Sequence, residues 1–177
     1  MNKLLVLMKV TVECKEAGHC GFFTSADLAF LMKVEKGPSF SKFLSKAVLI
    51  GVLARVCRGI YINPSSPPHC RNPLFKIATM LHNNKVMYVS AESELSYIGI
   101  ISQIPMNYLS VMTMGRSGTV NTTYGTIEFT HTKKKLSDIM RRTYLDTDNE
   151  MLRATQELAV ADLTAIGRNL GMLENRS

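Results

Sequence analysis

In SFSKFLSKAVLIG, residues 39–51, the apolar residues Phe40, Phe43, Leu44 and Ala47 recur at the spacing of one helix face, while Ser41, Lys42, Ser45 and Lys46 fill the other. Gly37 and Pro38 break the chain before this segment and Gly51 offers a stop, so the pattern predicts a helix. A shorter helix, Ser25 to Met32, is predicted ahead of it: Thr24 can cap, Asp27 can return the bond, and Phe23 can pack on Leu28 across the cap. A first helix is predicted over residues 3–16, ending near Gly18, against the low helix propensity of its Val and Thr residues. After Gly51 the period changes. GVLARVCRGIYIN, residues 51–63, alternates loosely and carries Gly59 at a turn position, which predicts a β hairpin bearing Arg55 and Arg58. Three helices followed by a hairpin is the order of a winged helix-turn-helix, expected over residues 1–63.

NPSSPPHCRNP, residues 63–73, holds four of the six prolines and can sustain neither a helix nor a central strand, so residues 64–73 are expected to be a linker. A second domain is expected over residues 74–177. LFKIATML reads as a short amphipathic helix and KVMYVS as a strand, with Ser90 placed to cap a helix AESELSYIGII. Two strands follow, NYLSVMTM and TYGTIEFTH, separated by the turn-rich GRSGTVNT and expected to pair antiparallel; Ile127, Phe129 and His131 share one face by alternation. A basic helix around Lys134 to Arg142, an acidic loop DTDNE, and a last helix near Thr155 to Asn169 complete the pattern. The fold class expected is α+β, a winged helix-turn-helix followed by a small α/β domain with a mixed or antiparallel sheet.

Charge sharpens the division. Residues 1–73 hold ten Lys or Arg against four Asp or Glu, whereas residues 74–177 hold eleven against ten. No acidic residue occurs from Lys36 to Ala91, where eight basic residues do. A field of one sign suits a polyanion, and Ser and Lys on a helix face suit phosphates and base edges. The residues expected to contact double-stranded DNA are therefore Ser39, Ser41, Lys42, Ser45 and Lys46 on the helix, with Arg55 and Arg58 on the wing. No apolar run is long enough to cross a bilayer, and Lys9 and Glu13 interrupt the opening segment before any cleavage site. A cytoplasmic protein with four free cysteines, and no membrane association, is expected.

Catalytic patterns are sparse. Asp146 and Asp148 invite comparison with the metal-binding carboxylate pairs of nucleotidyltransferases, but the Gly-Ser loop that should precede them is missing, and a solvated loop is the simpler reading. Glu157 and Asp162 are five residues apart on a helix and point to different sides, which suits structural roles. Cys14, His19, Cys20, His69 and Cys70 lack the two-residue ligand spacings of zinc sites. No phosphate loop, nucleophile elbow or dinucleotide fingerprint occurs, so neither a metal, a cofactor nor catalytic residues are expected.

YVSAESELSYIGIISQIP, then TYGTIEFTH, then LRATQELAVADLTAIGRNL, in that order, resemble blocks of the AbiEi family, the antitoxins of the abortive-infection E system and of type IV toxin-antitoxin pairs. FFTSADLAFL through RGIYIN corresponds to the winged helix-turn-helix of that family, so the resemblance covers nearly the whole chain. It implies a non-enzymatic protein whose front half represses its own operon at inverted repeats and whose back half counteracts a nucleotidyltransferase-like toxin. The expectation is a monomer, or a dimer whose copies pair only on DNA. The competing expectations are a winged-helix regulator without a toxin, a small nucleotidyltransferase using Asp146 and Asp148, and a binder of structured RNA.

Overall fold

A computed structural model describes residues 2–82, 84–102 and 107–167. Among them the chain is mixed α+β, with seven helices and two sheets. It divides into two compact units, Met1–Arg71 and Asn72–Ser177.

The first unit runs α1 (Lys3–Glu16), β1 (Phe23–Thr24), α2 (Ser25–Leu31), α3 (Pro38–Leu49), β2 (Ala54–Cys57) and β3 (Ile60–Ile62). Helix α1 forms despite its β-branched residues. Asn2 caps it, and Thr11, buried, returns its hydroxyl to the Leu7 and Met8 carbonyls while accepting a bond of 2.9 Å from Asn63 Nδ2. Helix α2 has the reciprocal cap that Thr24 and Asp27 predict: Thr24 N donates to Asp27 Oδ2 at 2.7 Å, and Asp27 N to Thr24 Oγ1 at 3.1 Å. Phe23 and Leu28 join Leu7, Phe40, Leu44, Ala47, Leu53 and Tyr61 in one core.

Strand β1, two residues long, pairs antiparallel with β3 and makes the order β1-β3-β2. Phe and Thr both favour strands, but two residues are too few to show an alternation, so pattern alone yields only the hairpin. The proline-rich segment after β3 returns to this unit: His69 N donates to the Cys20 carbonyl at 3.2 Å, and a Cβ on Gly21 would stand 2.9 Å from Pro68 Cα.

The second unit runs α4 (Pro73–Leu81), β4 (Met87–Val89), α5 (Ala91–Tyr97), β5 (Tyr108–Thr113), β6 (Gly118–Thr122), β7 (Gly125–His131), α6 (Leu136–Arg141), β8 (Thr143–Asp146), β9 (Met151–Ala154) and α7 (Gln156–Ile166). Its six-stranded mixed sheet has the order β6-β7-β5-β4-β9-β8. Tyr88, Met112 and Ala154 of the sheet pack with Leu95 of α5, Ile139 of α6, and Leu158 and Leu163 of α7. Helix α4 lies against β5 and β7.

Several expectations are corrected here. GRSGTVNT is not only a turn: its second half is β6, the antiparallel partner of β7. NYLSVMTM and TYGTIEFTH, as β5 and β7, therefore pair parallel, because β6 carries the chain to the sheet edge before β7 returns between them. The acidic segment DTDNE closes the hairpin β8–β9, with Asp146 as the last residue of β8. Helix α5 stops at Tyr97, where Gly99 at φ +74° takes the left-handed position after the cap. Ser90 occupies the N-cap position of α5 but makes no side-chain capping bond; its hydroxyl donates instead to Asp162 Oδ2 at 2.6 Å. The basic helix begins only at Leu136. The last helix starts from Thr155, whose hydroxyl accepts from Leu158 N; Asn169, its expected end, is outside the described residues.

Candidate nucleic-acid interface

Helix α3 separates its two faces as its sequence dictates. Phe40, Leu44 and Ala47 are buried, whereas Ser39, Ser41, Lys42, Ser45 and Lys46 are all exposed. At about 100° per residue these five polar positions cover an arc of about 160°. Gly37 is the N-cap, Pro38 stands at the first helical position, and the first turn carries no acidic residue, so its free amides present positive potential without a competing carboxylate.

The hydroxyls on this face are partly committed. Ser41 Oγ donates to the Gly37 carbonyl at 3.1 Å and Ser45 Oγ to the Ser41 carbonyl at 3.0 Å. In this arrangement both offer acceptors rather than the donors that sequence reasoning assigns them. The donors on the exposed face are Lys42 and Lys46. Sequence reasoning also missed Leu49. It is 85% exposed and falls within the same arc, between the directions of Ser45 and Lys42. An apolar side chain there suits a thymine methyl group. Its signal in the sequence is its offset from Lys42, seven residues or two helical turns.

The hairpin places Arg58 at its turn, beside Gly59 at φ +84°, a left-handed conformation that side chains other than glycine rarely adopt. Arg55 lies on β2 with its guanidinium carbon 5.7 Å from the centre of the Tyr61 ring. Both arginines are exposed. Among the described residues, Lys42, Lys46, Arg55 and Arg58 take part in no ion pair; the pair in this unit is Lys9–Glu13 on α1.

The residues weighed for catalysis are occupied elsewhere. Asp146 accepts from Asn149 Nδ2 at 2.7 Å and from Arg153 Nη1 at 3.2 Å. Burial opposes ionisation of its carboxyl, but these bonds prevail and hold it below the usual carboxylate range. Asp148 is exposed. Asp162 is fully buried between Ser90 and Lys134, whose ammonium lies 2.6 Å away. Glu157 is exposed.

Two further buried charges, Glu94 and Arg153, have no counterpart in the sequence reading. Glu94 accepts from Arg153 Nε at 2.8 Å and from the Tyr144 hydroxyl at 2.8 Å, and the Arg153 guanidinium lies 3.8 Å from the centre of the Tyr97 ring. Burial pushes the Glu94 carboxyl up, against the pull of Tyr144 and Arg153. Cys14, Cys20, Cys57 and Cys70 are free thiols, and no group of three His, Cys, Asp or Glu among the described residues is placed to hold a metal. Nor is any described helix long and apolar enough to cross a membrane.

No family model matches the chain, and a search of curated proteins finds no match.

Proposed function

We propose that the protein is a DNA-binding autorepressor and the antitoxin of a type IV, AbiEi-like pair, acting in the cytoplasm without enzymatic activity. In this reading the first unit is a winged helix-turn-helix. Helix α3 enters the major groove and β2–β3 forms the wing, with Arg55 and Arg58 on phosphates or in the minor groove. The observation that carries it is a set of four cations on α3 and the hairpin, none of them in an ion pair among the described residues and all on a stretch of chain without acids. Cations left unpaired on one stretch contribute little to folding and raise affinity for a polyanion. The order helix, strand, helix, helix, hairpin supports the same reading. That Asp146 is held by Arg153 and Asn149 supports a structural role for it over a nucleotidyltransferase centre. The antitoxin part rests on the resemblance of the second unit's sequence blocks.

Fluorescence anisotropy with a duplex of the protein's own promoter tests the DNA reading. Replacing Lys42, Lys46, Arg55 and Arg58 together with alanine should abolish binding at physiological salt, since each lost phosphate contact reduces the slope of log affinity against log salt by about 0.9. Unaltered binding by this variant overturns the assignment. For the antitoxin, co-expression with the toxin from the neighbouring reading frame should show that residues 72–177 restore growth without binding the promoter. Protection by residues 1–71 alone would overturn that division of labour.

A further inference from the structure

The second unit contains an open pocket of about 820 Å³ to which three stretches of chain contribute: the end of α4 with the turn into β4, the β5–β6 connection, and the end of β7. Lys85 and Arg116 line it together with Asn84, Ser117, His82 and His131, and among the described residues no carboxylate does. Among the described residues, Lys85 and Arg116 form no ion pair, in contrast to Lys76, Lys134, Arg141, Arg142 and Arg153 of the same unit.

Ser117 and the two histidines have fixed roles. Ser117 Oγ accepts the His131 amide at 2.8 Å, which leaves its hydroxyl proton to donate. His131 Nδ1 lies 2.7 Å from the Gly115 carbonyl, and because a carbonyl only accepts, Nδ1 carries the proton. That leaves Nε2 available to a ligand. The His82 ring stacks on Phe129 with centroids 4.1 Å apart, and burial lowers its pKa, so it is a flat, neutral wall at physiological pH. A Cβ on Gly115 would come within 2.8 Å of His82 Nδ1, so the loop backbone packs closely on that wall. Leu81 and Met114 add apolar surface.

We propose that this pocket binds a phosphomonoester of a flat heterocycle, of the size of a nucleoside monophosphate. The phosphate would sit on Lys85, Arg116 and the Ser117 hydroxyl, because two unpaired cations and a free donor without a nearby carboxylate favour a dianion. The heterocycle would lie by Met114 and His82. Inorganic phosphate alone would leave most of the volume unused, and sites of this size ordinarily enclose an organic ligand. This site is separate from the DNA reading and does not depend on it.

Titration calorimetry on the full chain, with adenosine monophosphate as probe and adenosine and inorganic phosphate as comparisons, tests the proposal. The monophosphate should bind with a Kd below about 1 mM and more tightly than either comparison. Lys85→Ala and Arg116→Ala, both at exposed positions, should each weaken it by about tenfold, while Lys133→Ala, an exposed lysine away from the pocket, should leave it unchanged. Met114→Ala should weaken adenosine monophosphate and spare inorganic phosphate. Absence of binding up to about 10 mM, or equal affinities in the wild type and Arg116→Ala, overturns the proposal. Equal affinities for adenosine and its monophosphate overturn the phosphate assignment, and equal affinities for phosphate and the monophosphate overturn the heterocycle.

Discussion

Lys42, Lys46, Arg55 and Arg58 stand exposed with no ion-pair partner among the described residues, whereas Arg153, Glu94 and Asp162 of the second unit are buried and bonded to one another or to Lys134 and Ser90. The same residue types thus serve different links of the chain from sequence to function. An exposed cation costs the fold little and is available to a ligand. A buried one loses its hydration, and its partners make up for this only while every bond is in place, so removing one member leaves the other buried and uncompensated. Charge counting cannot separate the two uses. The position of the partner can.

The contrast predicts where substitutions hurt. Arg153→Met should cost about 3–5 kcal/mol in urea unfolding, because Glu94 would then be buried without its cation, and adding Glu94→Gln should recover much of that loss. A neutral Arg153→Met would mean that water reaches the pair and the contrast fails.

A smaller effect should come from pH. Asp146, its carboxyl held below the usual range, contributes stability that is present above the unfolded value of about 3.9 and is lost as pH falls through the lower folded value. Asp146→Asn should therefore flatten the acid limb of stability below about pH 4, and a limb of unchanged steepness would assign that loss to other carboxylates. The quadruple alanine variant of Lys42, Lys46, Arg55 and Arg58 should leave unfolding free energy within about 1 kcal/mol of the wild type, despite four changes. Thermal unfolding checks it, and a large loss would show that these side chains hold the first unit together. Smallest of all, Leu49→Ala should change stability by less than about 0.5 kcal/mol, since the side chain is exposed, while reducing discrimination between promoter and unrelated duplex.

What the sequence makes legible follows the range of the interactions. Helix α2 is readable because its cap, Thr24 with Asp27, and its staple, Phe23 with Leu28, lie within five residues. Helix α3 is readable because one face is apolar throughout, and the Arg58-Gly59 turn because glycine marks it. The five polar positions of α3 are exposed as expected. What escapes has distant partners. Ser90 looks like a cap because the residue that takes its hydroxyl, Asp162, is far along the chain. Glu94 and Arg153 look like surface charges for the same reason. Strand β6 is hidden because GRSGTVNT has the glycine and polar content of a turn, and with β6 unseen, β5 and β7 default to the antiparallel pairing of sequence neighbours. Leu49 falls on the polar arc by its spacing from Lys42, and only its apolar side chain sets it apart from the serines and lysines beside it.

The path of the chain through β5, β6 and β7 also bears on the order of assembly. Strand β7 seats between β6 and β5, and it begins at Gly125, φ +138°, where any Cβ would collide with the Asn107 carbonyl that accepts the Thr126 amide at 2.8 Å. The β6–β7 hairpin is local, whereas the parallel ladder to β5 requires a longer loop to close first. The hairpin should therefore form early and be inserted as a finished piece, with Gly125 sliding past Asn107 as it seats. Pulse-labelled hydrogen exchange would show protection of amides bonded between β6 and β7 before those bonded between β5 and β7; simultaneous protection would mean that the sheet closes in a single step.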